Sequence, residues 1–202
     1  MLAGHPNSAR GQQAPTTRTD EELQQARNAS GLSVGEWHVP APTTTGASYS
    51  SSLMFSGITQ RGLSVHVALE SSAGLWRRVG TTPQPDGKPV VTKSYLIPLL
   101  DCLKVYPFTR ASNRIEPYLT TGLGFGLGIQ QESTNAIGGG GTAVVTGFAV
   151  KVGVGVEYHL SRRFGFLADG RYLWMNLSDR ISEQGAFSGG GVEAGMTYKL
   201  SI

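Results

Sequence analysis

The chain has 202 residues, a formal net charge of +3, 39% apolar residues, only 15% charged residues and 28 glycines. No run of about 18 apolar residues is present, which excludes a helical membrane protein, and blocks rich in valine, leucine and aromatics after residue 60 exclude a disordered chain. The lysines and arginines are scattered, with no basic stripe and no interleaved stacking aromatics, so no nucleic-acid partner is expected.

Residues 1–31 are polar and predict a flexible N-terminal tail, which sets a domain boundary at 32 and a second domain over 32–202. Within the tail, Asp20–Arg27 (DEELQQAR) has the pattern of two helical turns, too short and polar to stand alone. Residues 1–30 hold no apolar stretch of the kind that directs export. A membrane destination therefore requires a signal that was removed or lies upstream, and the alternative is a chain that is not exported.

From residue 33 onward the chain reads as strands separated by turns. Segment 33–39 is a weak strand and 47–56 a plausible one. Segment 63–76 alternates Leu63, Val65, Val67 and Leu69 against Ser64, His66, Ala68 and Glu70. Segment 90–106 is less regular: it contains Pro98 and sets Asp101 on the face of Ile97, Leu99, Leu103 and Val105, so a β-bulge near Pro98 is expected to reset the face. The remaining four segments alternate with period two throughout, the mark of a strand rather than a helix. In 115–130 the odd positions (Leu119, Leu123, Phe125, Leu127) oppose Gly122, Gly124, Gly126 and Gly128. In 144–160 the even positions (Val152, Val154, Val156, Tyr158) oppose Lys151, Gly153, Gly155 and Glu157. In 164–176 Phe164, Phe166, Tyr172 and Trp174 oppose Asp169 and Arg171. In 190–202 Val192, Met196, Tyr198 and Leu200 oppose Glu193, Gly195 and Lys199.

The spacers alternate in length. Short ones are expected at 57–61, 109–113 and 161–163, and longer ones at 40–46, 79–88, 131–142 and 178–188. Short turns on one side and longer loops on the other are the pattern of outer-membrane barrels, and the count gives eight strands. The glycine-rich faces fit a crowded interior, because an eight-stranded barrel is only just wide enough to be filled by side chains. The bulky faces exceed that volume and are expected to point outward into hydrocarbon. The fold class is thus all-β: a single closed antiparallel up-and-down barrel of eight transmembrane strands. Tyr158, Phe164, Phe166 and Tyr198 would form an interfacial girdle at one rim, Tyr172 and Trp174 one towards the other.

The stretches IEPYLTTGLGFGLG, FAVKVGVGVEYHLSRRFGFLADGRYLW and GGGVEAGMTYKL resemble the outer-membrane β-barrel domain family, of the small OmpX and OmpA-barrel type, over roughly residues 45–202. The last strand is similar to the assembly signal of that family at Glu193, Gly195, Tyr198 and Leu200, although the family commonly ends on an aromatic and this chain ends Ser201–Ile202. The resemblance implies a bacterial outer-membrane location and contact with lipopolysaccharide, the barrel-assembly machinery and other envelope proteins.

The inward faces carry Lys104, Glu116, Lys151, Glu157, Asp169, Arg171, Glu193 and Lys199, with His66 and Glu70. Opposite charges in a narrow, water-poor interior should pair, since an isolated buried charge costs several kcal/mol. The expectation is a structural ionic plug and no open pore. His159-Leu160-Ser161 with Glu157 resembles the His-x-Ser pattern of barrel-type lipid A deacylases, but the acid lies upstream and two arginines follow, so turn chemistry is the better reading of Ser161. The tract Gly138–Gly141 has no strand before it and no Lys-Ser/Thr after it, and reads as a loop tip. Cys102 has no second cysteine to pair with and reads as a small apolar filler. No catalytic, cofactor or metal residues are assigned. The expected function is a non-enzymatic surface-interaction role through the longer loops. The alternatives are a lipid-modifying barrel enzyme and a soluble lipocalin-like carrier.

Overall fold

The computed structural model describes residues 20–25, 27–40, 48–50, 53–82, 90–108, 114–133, 141–181 and 184–200. They form one short helix, α1 (Asp20–Gln25), and eight strands. These are β1 (Ala29–His38), β2 (Leu53–Gly62), β3 (Val67–Thr82), β4 (Val90–Val105), β5 (Ile115–Ser133), β6 (Thr142–His159), β7 (Phe164–Ile181) and β8 (Gln184–Lys199). A three-residue segment, Ser48–Ser50, continues β2 along the same neighbour, pairing with Val79–Thr81 of β3.

Every strand pairs antiparallel with the next, and β1 also pairs with β8, which closes the sheet. Register partners can be followed around the wall from Leu96 through Trp76, Met54, Gly35, Glu193, Asp169 and Gly155 to Tyr118. Tyr118 adjoins Leu119, the partner of Val105. The circuit therefore returns to β4 ten residues from its start. That stagger tilts the strands by about 40° from the barrel axis. The closed sheet has no open edge, so every backbone group in the wall has a route to a partner without water.

The alternation read from the sequence fixes which side of the wall each side chain takes. Leu119, Leu123, Phe125, Val152, Val154, Val192 and Met196 are all exposed on the outer surface. Between them, Lys104, Glu116, Thr120, Lys151, Glu157, Asp169 and Glu193 are buried inside. A water-soluble barrel has the reverse arrangement. The inner glycines make room for large neighbours: a Cβ on Gly155 would lie 2.5 Å from the Tyr118 ring, one on Gly126 would overlap Met175, and one on Gly128 would overlap Ile181.

Several boundaries differ from the sequence reading. The barrel wall begins at Ala29, three residues before position 32, and α1 packs against it rather than standing free. The short turn is at 63–66, not 57–61: β2 runs on to Gly62, and the Leu63 and Ser64 amides both donate to the Val67 carbonyl at 2.9 and 3.0 Å. His66 consequently sits in that turn, exposed, and not on the inner face of a strand. No bulge forms at Pro98. Ala73 with Leu99 and Trp76 with Leu96 keep one register across it, so the missing N–H interrupts the ladder without shifting it. The long spacer expected at 178–188 is largely strand, with Ile181 paired to Gln184. The turn at 161–163 stands as read. The spacer 109–113 and most of 40–46, 79–88 and 131–142 lie outside the described residues, apart from the strand ends that reach Thr82 and Ser133.

The packing of the glycines gives a paired test. A Cβ on Gly124 would press on the backbone of Leu99 and Leu100, which cannot rotate away, whereas one on Gly170 meets nothing within 4 Å. Gly124→Ala is expected to destabilise the folded barrel by about 1–3 kcal/mol. Gly170→Ala should stay within about 0.5 kcal/mol of the parent. Urea unfolding in detergent micelles, read by gel mobility with and without heating, measures both.

The barrel interior as candidate functional site

The turn-side half of the interior is an ionic network built by alternate residues of several strands. Its centre is Lys104 on β4, wholly buried, whose Nζ lies 2.7 Å from Glu70 Oε2 on β3 and 3.2 Å from Glu157 Oε1 on β6. The same ammonium donates to Gln60 Oε1 at 3.3 Å and stands 4.2 Å from the Tyr118 ring centroid. Tyr106 donates its hydroxyl to Glu157 Oε1 at 2.8 Å and accepts from Gln60 Nε2 at 2.9 Å. Lys151 continues the chain with Nζ 3.5 Å from Glu70 and 3.9 Å from Asp169, and Tyr118 donates to Asp169 Oδ2 at 3.2 Å. Arg171 pairs with Glu193, which also accepts from Ser33.

A second group closes the turn-side end. Glu116 takes Arg27 Nη1 at 3.2 Å and His159 Nε2 at 3.0 Å. Arg27 also donates through Nε to the Val65 carbonyl at 2.7 Å, and its guanidinium lies 3.6 Å from the Tyr106 ring centroid. Gln24 in α1 donates to the Leu63 carbonyl at 3.1 Å. The segment from α1 to Arg27 is thereby tied across the barrel end. Lys199 is buried at the same end of β8.

The loop-side half of the interior is mainly apolar, with Arg78 and Ser94 also buried in it. Trp37 and Trp76 meet edge to face with centroids 5.0 Å apart, and Met54, Leu96, Met175 and Phe187 pack with them in one buried cluster. Trp37 Nε1 donates to the Gly189 carbonyl at 3.1 Å. Cys102 belongs to this cluster, packed beside Gly122. Sequence reasoning did not find this layer. Its strands carry apolar residues on both faces, as in Leu96–Ile97 and Leu99–Leu100, so period two gives no contrast there.

The structure brings Glu116, Lys151, Glu157, Asp169, Arg171, Glu193 and Lys199 into the one interior, joined by Lys104 and Glu70, but leaves His66 outside it. Arg27, Gln60, Tyr106 and Tyr118 were missed. Arg27 fell in the presumed tail, Gln60 in the turn expected at 57–61 and Tyr106 at the end of the irregular segment 90–106, while Tyr118 looked like an ordinary alternating residue. On the outer surface Tyr158, Phe164, Phe166, Tyr172 and Tyr198 are exposed, with Phe164 against Tyr198 at 5.3 Å between centroids. Trp174 is half-buried against Phe148, 4.8 Å between centroids. On β8, Glu193 points in, Tyr198 and Leu200 point out, and Gly195 lies against Leu32 and Ser33 of β1.

Ser161 is occupied with turn chemistry: its Oγ accepts from the amides of Arg163 at 3.2 Å and Phe164 at 3.0 Å. His159 is turned to Glu116 instead. Glu116, Glu157 and His159 hold potential ligand atoms within 4.8 Å of one another. Arg27 pairs with Glu116, and Lys104 and Tyr106 with Glu157, so these carboxylates are already engaged by protein partners.

Removing the central cation leaves Glu70 with only Lys151 at 3.5 Å and, among the described residues, Glu157 with no cation and only the Tyr106 hydroxyl, in a closed interior. Lys104→Met is expected to cost about 3–5 kcal/mol. Lys151→Met should cost less, because its contacts are longer. Unfolding midpoints of the two variants in the same detergent test the order.

No family model and no curated protein sequence matches the chain. Solved structures do. Neisserial surface protein A superposes with a TM-score of 0.56 at 14% identity, covering 87% of this chain and 97% of that one. The outer membrane protein OprG from Pseudomonas aeruginosa gives 0.56 at 13%, covering 88% and 99%. Ail, the attachment invasion locus protein of Yersinia pestis, gives 0.54 at 14%, covering 85% and 98%. At such identities the likeness carries architecture, and the architecture is that of the small eight-stranded outer-membrane barrels.

Proposed function

We propose that this chain is a non-enzymatic bacterial outer-membrane protein: a closed, filled barrel that serves as a rigid platform for its longer loops. The loops would contact lipopolysaccharide, other envelope proteins or foreign surfaces. The observation that carries this reading is the occupied interior. The apolar layer and the ionic network lie end to end, and the cavity between them, beside Ser56, Asp169 and Arg171, has a volume of about 10 Å³. That is room for one water molecule.

The exposed band of leucine, valine and phenylalanine supports a lipid environment. The aromatics Tyr158, Phe164, Phe166 and Tyr198 would mark one headgroup level and Tyr172 and Trp174 the other. Outward Tyr198 and Leu200, with inward Glu193 and Gly195 against β1, supply what the assembly machinery would read at the end of the chain's last strand. The interior charges Lys104, Glu157 and their partners act as structure, not as a proton or ion path.

The full chain in planar bilayers is expected to show no ion-conducting steps, and bacteria displaying it to adhere to vesicles containing lipopolysaccharide. Replacing 134–140 with a four-residue Gly-Ser linker should leave the heat-modifiable barrel intact and lower adhesion. Regular channel openings, or adhesion unchanged after the inter-strand segments 41–47, 83–89 and 134–140 are all replaced, would sink the proposal.

A further inference from the structure

The ionic network of the interior is in two pieces. One joins Lys104, Glu70, Lys151 and Asp169, with Tyr118 donating to Asp169 Oδ2. The other is the Arg171–Glu193 pair with Ser33. Among the described residues no ion pair connects them, although Asp169 and Arg171 are neighbours on the inner face of β7. Each of these two side chains has polar atoms left over. Asp169 Oδ1 accepts from nothing, and Arg171 Nε and Nη2 donate to nothing. Ser56 Oγ on β2 is in the same position. The three residues are only 5–7% exposed, so bulk water does not serve them. Buried polar atoms are as a rule hydrogen-bonded, to protein or to an ordered water.

The orphaned atoms converge on one place. Among the described residues six buried side-chain polar atoms are without partners, and four of them belong to residues that line the 10 Å³ cavity. The other two, Trp76 Nε1 and Thr120 Oγ1, belong to residues that do not line it. Every strand except β5 contributes to the cavity wall, so the space lies within the lumen and not on the outer surface. Its volume admits a single water-sized occupant.

The lining also selects what that occupant is. Glu70, Asp169 and Glu193 set three carboxylates against Lys151 and Arg171, so no excess of positive charge is there to hold an anion. The unused N–H groups of Arg171 repel a metal ion. The occupant must accept from Arg171 and donate to Asp169 at once, and a neutral molecule with both capacities at this size is water.

We propose that the cavity is a binding site for one ordered water molecule, which accepts from Arg171, donates to Asp169 Oδ1 and hydrogen-bonds Ser56 Oγ. The water joins the Arg171–Glu193–Ser33 group to the Lys104–Glu70–Lys151–Asp169 group, so one continuous network braces the wall. A bridging water does this nearly as well as a direct hydrogen bond. Met54 and Leu100 supply apolar wall to the same cavity. The inference rests on the filled interior described above: the water is a fixed part of the packing, not the start of a channel.

Magnetic relaxation dispersion of solvent water, recorded on the full chain in detergent micelles, counts long-lived internal waters and tests the proposal. Ser56→Val replaces the hydroxyl with methyl groups that occupy the cavity, and is expected to lower the count by one relative to the parent. Thr120→Val removes another unpartnered buried hydroxyl, away from the cavity, and should leave the count unchanged. Heat-modifiable mobility confirms folding of each variant. Crystals of the parent give a reading that needs no variant: one density peak within hydrogen-bond distance of Arg171 and Asp169 Oδ1, and no anomalous peak there after growth in bromide. An unchanged count in folded Ser56→Val, equal falls in both variants, an empty cavity in the crystal or a bromide peak within it overturns the proposal. Each of these leaves the closed barrel standing, which only conductance in bilayers would remove.

Discussion

The inside of an eight-stranded barrel is too narrow for every inward position to be large, and the rest of this structure follows from that limit. Large inward side chains are matched by glycine on a facing strand. Tyr118 lies over Gly155, Met175 over Gly126 and Ile181 over Gly128. The ten-residue stagger decides which residues meet, because it carries each strand past its neighbours at a tilt. Bulk that cannot go inward goes outward, and that is the origin of the predominantly apolar exterior. The glycines are therefore not loosely placed small residues. They are the complement of the residues that fill the lumen.

The filled lumen is divided by chemistry. Charged side chains occupy the turn-side half, where long lysines and arginines from neighbouring strands reach carboxylates across the axis. Aromatic and aliphatic side chains dominate the loop-side half, where Arg78 is buried as well. Each central carboxylate is shared: Glu70 between Lys104 and Lys151, Glu157 between Lys104 and Tyr106. Sharing lets few groups satisfy one another in a low-dielectric space where an unpaired one is costly. It also explains why a polar segment as short as α1 is held at all. Its neighbour Arg27 completes the network at Glu116, and Gln24 caps carbonyls of the 63–66 turn.

Strand identity was legible wherever one face was bulky and the other small or polar, as in β5, β6, β7 and β8. It failed where chemistry did not alternate. Leu96 and Leu100 face inward beside outward Ile97 and Leu99, so composition alone could not say which face was which. The turn was misplaced because the GITQR segment carries turn-forming residues, while Gly57 is in fact an outward glycine opposite Ala73. The loop expected at 178–188 is largely polar in sequence, yet β7 runs on to Ile181, which pairs with Gln184 of β8 after a register shift beyond Asn176. The charge network was legible as a set of inward residues. Its partners were not, since which carboxylate meets which cation depends on the stagger, and the stagger is a property of closure rather than of any one strand.

Asp101 is the clearest case of a local pattern outweighing an assumed correction. A carboxylate on a greasy face invites a bulge that would turn it inward, and Pro98 offers a place for one. The ladder on both sides of Pro98 keeps its register, however, and a single-residue shift would have exchanged every later side chain on β4 between faces. Lys104 would then have pointed to lipid and Leu103 into the network, leaving Glu70 and Glu157 without their shared cation. The cost of one outward carboxylate, eased by the Ser71 hydroxyl that donates to it, is smaller than the loss of the buried centre. The position of Asp101 is thus set by Lys104 three residues away, and the polar spot on the outer wall is a consequence of the ionic core within it.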